Sequence, residues 1–524
     1  MKTNKHINRF NTTNSTLEFN RPQPGKPRRT AGLLGVAVAG VLLSAQMASA
    51  DDKKDSAGSI FVIAMENHNF TQPNPMSSPQ QILGNPAAPY MNSLITPGNP
   101  NAAHVSYAVN YFNSGNGVHP SEPNYVWHEA GSDFGFHSDA DPTPGNGNKF
   151  YDDSTQLAST LIANGSTVVF WHRNHTPHLT GQFNETGVSW NNYQEDVQLA
   201  NSPTNSASGT NGPVNLFYGT TQYNYAVKHN PMAFFSDSAL QNVYPLAQLF
   251  LDLDNNAVGQ YNWITPNQYN DAHSALNGGF TYLGTHYTGD QASIAQGDNF
   301  LSLVIPEIMA SKAYKHNGMI IIWWDETEGG DTSSFTIPEI IISPLAKGNA
   351  YASTVPINHS SDIKTMEEIF GLPSINNPIP VTETNVSGGY NNVATVNDLS
   401  DLFVPGAIPA APSFSVTQDG FVLDHHTQHF LQTVHITNNG DTPVSEPLFL
   451  SLDNLSSNAT LLNSDGTTAV LAPLGSPYVR VGIDGDDNHV LRPHKTAKVT
   501  LEFLDPSNTA ITYDVRVLNV TPVP

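Results

Sequence analysis

Continuous apolar runs, each stopping at polar residues, set the frame of the chain. Ser59-Ile60-Phe61-Val62-Ile63-Ala64-Met65 stops at Glu66-Asn67-His68-Asn69, and Met319-Ile320-Ile321-Ile322-Trp323-Trp324 stops at Asp325-Glu326. Thr167-Val168-Val169-Phe170-Trp171 stops at His172-Arg173, and Glu339-Ile340-Ile341-Ile342 stops at Ser343-Pro344. A weaker run, Tyr261-Asn262-Trp263-Ile264, leads through Pro266 to Asp271 and His273. Runs without polar alternation suit strands buried on both faces, as in a parallel sheet. Helical spacing of apolar residues falls between them, over residues 155–163, 239–252 and 299–315. Ile363, Met366, Ile369 and Phe370 share one face of a further helix, which Gly371 stops. The alternation predicts an α/β domain built on an open, mostly parallel sheet flanked by helices. In such a sheet ligands bind beyond the carboxyl ends of the strands. Four of the five runs end in, or soon reach, residues able to hold a metal.

The pattern changes after a Pro/Ala-rich linker, residues 405–412. Gln432-Thr433-Val434-His435-Ile436-Thr437 alternates and ends in a turn, Asn438-Asn439-Gly440-Asp441. Runs around Leu448, Tyr478, Ala497 and Ile511 follow at the spacing of a sandwich. The expected organisation is a catalytic domain over 51–404 and an immunoglobulin-like β-sandwich over 413–524. The sandwich is expected to pack on the catalytic domain or to bind a surface partner. Its acidic turn, Asp484-Gly485-Asp486-Asp487-Asn488, reads as a hairpin turn rather than a calcium loop.

The first 50 residues do not fit either domain. They carry seven Lys or Arg, then an apolar run from Ala31 to Ala45, then Ala48-Ser49-Ala50. This is a signal peptide with an Ala-x-Ala cleavage site, and its apolar run is too short for a stable spanning helix. Arg28-Arg29 before the Gly/Ala-rich run partly fits a twin-arginine signal. The chain is therefore expected to be exported, to the periplasm or beyond. Removing this segment takes away seven positive charges and Glu18, so the formal net charge of −24 becomes −30. So acidic a surface repels nucleic acid and anionic membranes. With no cysteine in the 524 residues, disulfides, thiol nucleophiles and Cys-ligated zinc are excluded.

The candidate chemistry centres on His119-Pro120-Ser121-Glu122-Pro123-Asn124-Tyr125. Alone, this heptapeptide reads as a Pro-bounded turn. No Gly-x-Ser-x-Gly elbow surrounds Ser121. A serine hydroxyl needs a base or a metal to act as a nucleophile. Glu66-Asn67 and Asp325-Glu326 lie at strand ends, where adjacent acids after apolar runs are costly unless solvated, paired or metal-bound. Asp271-Ala272-His273 offers two ligand types in three residues, and His359 lies in the turn before a helix. His172, His175 and His178 are regularly spaced and read as a feature of the substrate mouth.

Taken together and in order, these blocks resemble the bacterial phosphoesterase family of secreted acid phosphatases and phospholipases C, within the alkaline phosphatase superfamily. The matching blocks span residues 59–403 and include Ser189-Trp190-Asn191-Asn192-Tyr193-Gln194-Glu195-Asp196 and His229-Asn230-Pro231. The resemblance implies an alkaline-phosphatase-like sheet and divalent metal ions, two of them, of open identity. It makes Ser121 the nucleophile and a metal partner, with Glu66, Asn67, Asp325 and Glu326 around the ion that activates it. It gives Asp271, His273 and His359 to the second ion, and substrate contacts to Asn124 and His229.

The resulting expectation is an exported, metal-dependent hydrolase of phosphoric esters, an acid phosphatase acting through a phosphoserine at a two-metal site. Its substrate is a small phosphate ester or a phospholipid, with no stable insertion into the membrane. The alternatives are a phospholipase C cleaving phosphodiester headgroups, and a non-catalytic surface or adhesion protein with a degenerate phosphoesterase domain.

Overall fold

The computed structural model describes residues 58–115, 117–142, 176–198, 203–372, 374, 375, 377, 393, 396–409, 413–440, 443–445, 447–468, 475–483 and 490–519. The expected signal segment, the expected helix 155–163, the run 167–171, His172, His175 and the acidic turn 484–488 lie outside the described residues.

Eight strands form the main sheet: β1 (Ile60–Met65), β2 (Val105–Ala108), β3 (Trp190–Gln194), β4 (Val243–Pro245), β5 (Tyr261–Thr265), β6 (Met319–Trp324), β7 (Glu339–Ile342) and β8 (Tyr351–Ser353). Their order across the sheet is β8-β2-β7-β6-β1-β5-β3-β4. β1 is parallel to β6 and β5, β3 to β5 and β4, and β2 to β8. β7 is antiparallel to both of its neighbours, β6 and β2. Every residue of β1, β5, β6 and β7 is buried. That is why β1 and β6 read as unbroken apolar runs, and also why β7 gave no sign of its direction: a strand covered on both faces looks the same either way.

Four helices matter for the site: α1 (Ser121–Ala130), α2 (Ala247–Asn255), α3 (Asp290–Ala310) and α4 (His359–Phe370). Their apolar residues, among them Tyr125, Leu249, Phe300, Ile305, Ile363 and Met366, join those of the sheet in one core. The expected helix over 239–252 is split. Val243 and Tyr244 pair with Asn192 and Tyr193 in the sheet, and the helix starts only at Ala247, past Pro245. The one expected over 299–315 begins earlier, at Asp290, and ends at Ala310, where Ser311 opens a separate turn of helix. α4 starts and stops as its sequence implies: Asn358 and Ser361 form a reciprocal cap, and Gly371 closes it at φ 65°.

A second apolar core, built on Val434, Ile436, Leu450, Leu452, Val479, Leu501 and Phe503, belongs to the C-terminal region. Its two main sheets are antiparallel. One is built on His429–Asn438 and Thr496–Leu504, the other on Phe449–Asp453, Pro477–Arg480 and Asp514–Leu518. The result is the expected immunoglobulin-like β-sandwich. Of the linker, Ala407 and Ile408 are buried in the core of the main sheet. Among the described residues, no helix is long and apolar enough to cross a membrane.

Candidate active site

Strand register brings the first acids together. Met65 and Trp324 pair as the last residues of parallel β1 and β6, so Glu66 and Asp325 emerge side by side. The Glu66 backbone N–H donates to Asp271 O at 2.8 Å, which ties in the loop after β5. The Asn67 N–H, from a residue at φ 42°, donates to Asp325 Oδ1 at 3.1 Å. Asparagine tolerates this left-handed conformation better than most residues.

Ser121 is not in an isolated turn but is the first residue of α1, after Pro120 in extended conformation. Pro123 falls in the first helical turn, where its missing N–H costs nothing. A turn and a helix start therefore share the same sequence signature here. The Ser121 hydroxyl lies 3.0 Å from Glu66 Oε2, 3.1 Å from Glu326 Oε1 and 3.4 Å from Asn67 Oδ1. It also sits at the positive end of the helix dipole, where an anion is favoured. Asn124, one turn on, donates to Val118 O, Pro120 O and Glu326 Oε2. It buttresses the loop before the serine as well as a carboxylate. His119 bridges two acids: Nδ1 contacts Glu326 Oε2, and Nε2 lies 3.1 Å from Asp331 Oδ2.

Glu66 joins this half of the site to a second one. Its other oxygen, Oε1, is 2.8 Å from His229 Nε2, and His229 Nδ1 is 3.2 Å from Asp271 Oδ2. Yet Glu66 Oε1, Asp271 Oδ2 and both His229 nitrogens make no hydrogen bond of acceptable geometry, and Asp325 Oδ2 is also unpartnered. Among the described residues, Glu66, His229 and Asp271 offer ligand atoms within 4.8 Å of one another. Buried polar atoms converging without hydrogen bonds are what a cation site looks like. An oxygen-rich set with one imidazole suits a divalent ion. His229 is thus more central than a substrate contact, and it stacks on Tyr125 of α1 with ring centroids 5.0 Å apart. Its signal in the sequence, a His before Asn-Pro, gave no hint of the two carboxylates it would meet.

The other expected second-ion ligands are placed differently. His273 donates its backbone N–H to Asp271 Oδ1, while its Nδ1 faces Ser274 Oγ at 2.8 Å. His359 lies against Trp323, with Nε2 3.3 Å from Trp324 O, outside the Glu66–His229–Asp271 group. As the first residue of a helix packed against α1, it points between the rings of Tyr111 and Trp323. His178 is no feature of a substrate mouth either: it is buried between Glu129 and Asp237.

The electrostatics match a site built for added positive charge. Burial, with Glu66 and Glu326 nearby, pushes Asp325 well above the carboxylate range. Burial raises Glu326 to about 7 and Asp271 to about 6, against the pull of His119 and His229 respectively. Glu66 goes the other way: burial opposes its charge, but His229, His273 and Lys228 outweigh burial and hold it at about 2. Burial likewise works against a charged His119, but Asp331 and Glu326 hold it up at about 10. Burial lowers His273 to about 4, and lowers His359 well below its usual value. Both imidazoles are thereby favoured in the neutral form.

Comparison with known proteins adds an independent line. The model of the Phosphoesterase family matches residues 100–373. The phosphatidylinositol-3-phosphatase of Mycobacterium tuberculosis is 24% identical over 363 residues, which cover 68% of this chain and 93% of that protein. The phosphate-repressible acid phosphatase of Penicillium chrysogenum is 24% identical over 268 residues, 49% of this chain and 50% of that one. A solved Vibrio parahaemolyticus protein of the alkaline phosphatase superfamily aligns with a TM-score of 0.36 at 11% identity, over 73% of this chain and 78% of its own.

Proposed function

The chain belongs to the phosphoesterase family and is a hydrolase of phosphoric esters; from that premise we propose an exported, metal-dependent phosphomonoesterase of acid phosphatase type, acting through a phosphoserine on Ser121. The observation that carries this reading is the Ser121 hydroxyl, set at a helix N-terminus within 3.4 Å of oxygens from Glu66, Asn67 and Glu326. A non-catalytic surface protein with a degenerate phosphoesterase domain is disfavoured because the serine and the carboxylates expected around it are all present and lie together. Monoester preference is supported by the relatives, whose names are those of a phosphoinositide phosphatase and an acid phosphatase. Export rests on the signal-type sequence of residues 1–50.

The chain's own groups divide the work. The Ser121 hydroxyl gives its proton to a neighbouring carboxylate, Glu66 or Glu326, as Oγ attacks phosphorus. The new Oγ–P bond forms as the ester P–O bond breaks, and the leaving oxygen takes up the proton that the carboxylate received. Water then attacks the phosphoserine, releasing inorganic phosphate and restoring the hydroxyl. The α1 N-terminus favours the anionic phosphoryl group throughout. Glu66, Asn67, Asp325 and Glu326 are placed to hold one divalent ion, and Glu66, His229 and Asp271 a second. Such ions neutralise phosphoryl charge and lower the pKa of a coordinated hydroxyl.

Ser121→Ala tests the reading directly. It should cut turnover of an aryl monophosphate by at least about 10³-fold, with the circular dichroism spectrum unchanged. Near-wild-type turnover would overturn the assignment. Running an aryl phosphodiester and phosphatidylcholine alongside separates a monoesterase from a phospholipase C.

A further inference from the structure

Two acids that follow β3, Glu195 and Asp196, take no part in the Ser121 or His229 groups, yet they hold the turn that carries Asp271. The Glu195 N–H donates to Thr265 O at 2.9 Å, which keeps the ends of β3 and β5 together. Beyond β5 the chain folds back on Asn267. Asn267 O accepts from the Asn270 and Asp271 N–H groups, both at 2.9 Å, and Asn267 Oδ1 accepts from the Tyr269 and Asn270 N–H groups, both at 3.0 Å. Glu195 fastens this turn at two points. Its Oε2 accepts from the Asn267 N–H at 2.9 Å, and the Asn270 side-chain amide donates to both of its oxygens, at 2.9 and 3.0 Å. Asp196 Oδ2 adds a third point, accepting from Asn267 Nδ2 at 2.6 Å. Glu195 and Asn270 are buried, so water does not readily replace these bonds. The turn needs such fastening. Ala272, fully buried directly after Asp271, sits at φ 80°, a strained conformation for a residue with a Cβ.

We infer that Glu195 is the positioning residue for Asp271: its carboxylate fixes the 267–271 turn so that Asp271 meets Glu66 and His229. This rests on the reading of Asp271 as part of the active site and deepens it. The donors to Glu195, with Asn215 Nδ2 at 2.7 Å among them, are uncharged N–H groups that reach both of its oxygens. The position therefore requires a side chain that accepts on both atoms. A glutamine accepts on one atom only and would turn its own amide towards a donor. The turn would then shift, and Asp271 Oδ2 would move from its place 3.2 Å from His229 Nδ1.

The test is a double-substitution cycle on the full chain: wild type, Glu195→Gln, Asp271→Asn and both together. Each protein is measured for its affinity for manganese ions, by paramagnetic resonance, and for kcat/KM on an aryl monophosphate. Losing a supporting partner should weaken manganese binding and lower kcat/KM about tenfold or more in Glu195→Gln. Asp271→Asn should lose more, and the double variant should lose no more than Asp271→Asn alone, to within about twofold. A glutamate that only stabilises the fold would instead lower the melting temperature and add its loss to that of Asp271→Asn. Additive losses overturn the inference, as does a Glu195→Gln protein that matches wild type in both measurements. If Glu195→Gln does not fold, Asn270→Ala takes its place in the cycle, since it unfastens the turn while leaving Glu195 its bonds to Asn215 and Asn267. If Asp271→Asn matched wild type, the reading of Asp271 would fail by itself, and any loss in Glu195→Gln would then count as additive and against the inference.

Discussion

The far end of the nucleophile helix supports a prediction that is independent of any metal. Glu129, fully buried near the end of α1, accepts at Oε1 from Thr180 N at 2.8 Å and from the Thr180 hydroxyl. His178 Nδ1 lies 2.8 Å from the same oxygen, and His178 Nε2 lies 2.8 Å from Asp237 Oδ1. Gly181 N is also 3.3 Å from Nδ1, a contact only the neutral ring could use. The shorter carboxylate contacts on both nitrogens decide for the imidazolium. Burial opposes that charge, but Asp237 and Glu129 overcome it and raise His178 to about 9 from 6.5. The sign follows from the raised value. The protonated ring contributes its full stability below pH 6.5, and that contribution fades as pH rises through 9. The shift corresponds to on the order of 3 kcal/mol. Thermal denaturation of wild type and His178→Gln at pH 6.5, 8 and 10 reads it out. The stability gap between the two should be widest at the lowest of these pH values and shrink towards the highest. The difference removes the other groups that titrate in that range. A gap that stays constant with pH would refute an imidazolium at this position.

Three further outcomes follow from the site and its supports. Glu66→Gln removes a group that faces both Ser121 and His229, and kcat/KM for an aryl phosphate should fall by at least about a hundredfold; retained activity would remove Glu66 from the chemistry. Treating the protein with a chelator should abolish turnover and lower the melting temperature, because buried carboxylates lose their counter-charge, and adding back divalent ions should restore both; activity indifferent to chelation would refute metal dependence. Gly131 ends α1 at φ 65°, and a Cβ there would meet Val393 Cγ2 at 2.7 Å. Gly131→Ala should therefore destabilise the protein by about 2 kcal/mol, measured as a loss in denaturation midpoint, and a neutral result would show that the backbone relaxes away.

What was legible in the sequence divides by the range of the forces involved. The strands of the sheet were legible because burial on both faces writes itself locally, residue after residue, into β1, β5 and β6. The direction of β7 was not, since it depends on how the chain returns from β6. Glu66 and Asp325 could be named because strand ends in a parallel sheet share one edge, so finding the strands finds the acids that follow them. Ser121 looked like a turn because Pro and Ser favour helix starts and turns for the same reasons, and only packing decides between them. The histidines show the limit most clearly. A ligand's identity is local, but its partner is not: His359 starts a helix whose first turn is buried among aromatics, while His229 reaches Glu66 and Asp271 across the loops that follow β3 and β5. The family resemblance puts His273 and His359 ahead of His229 as ligands, whereas in the structure it is His229 that lies with Glu66 and Asp271. The two halves of the site then share a single residue, Glu66, with one oxygen at the nucleophile and the other at His229. A substitution at Glu66 should therefore disturb both halves, whereas His229→Ala should disturb the Asp271 half first and reach Ser121 only through Glu66.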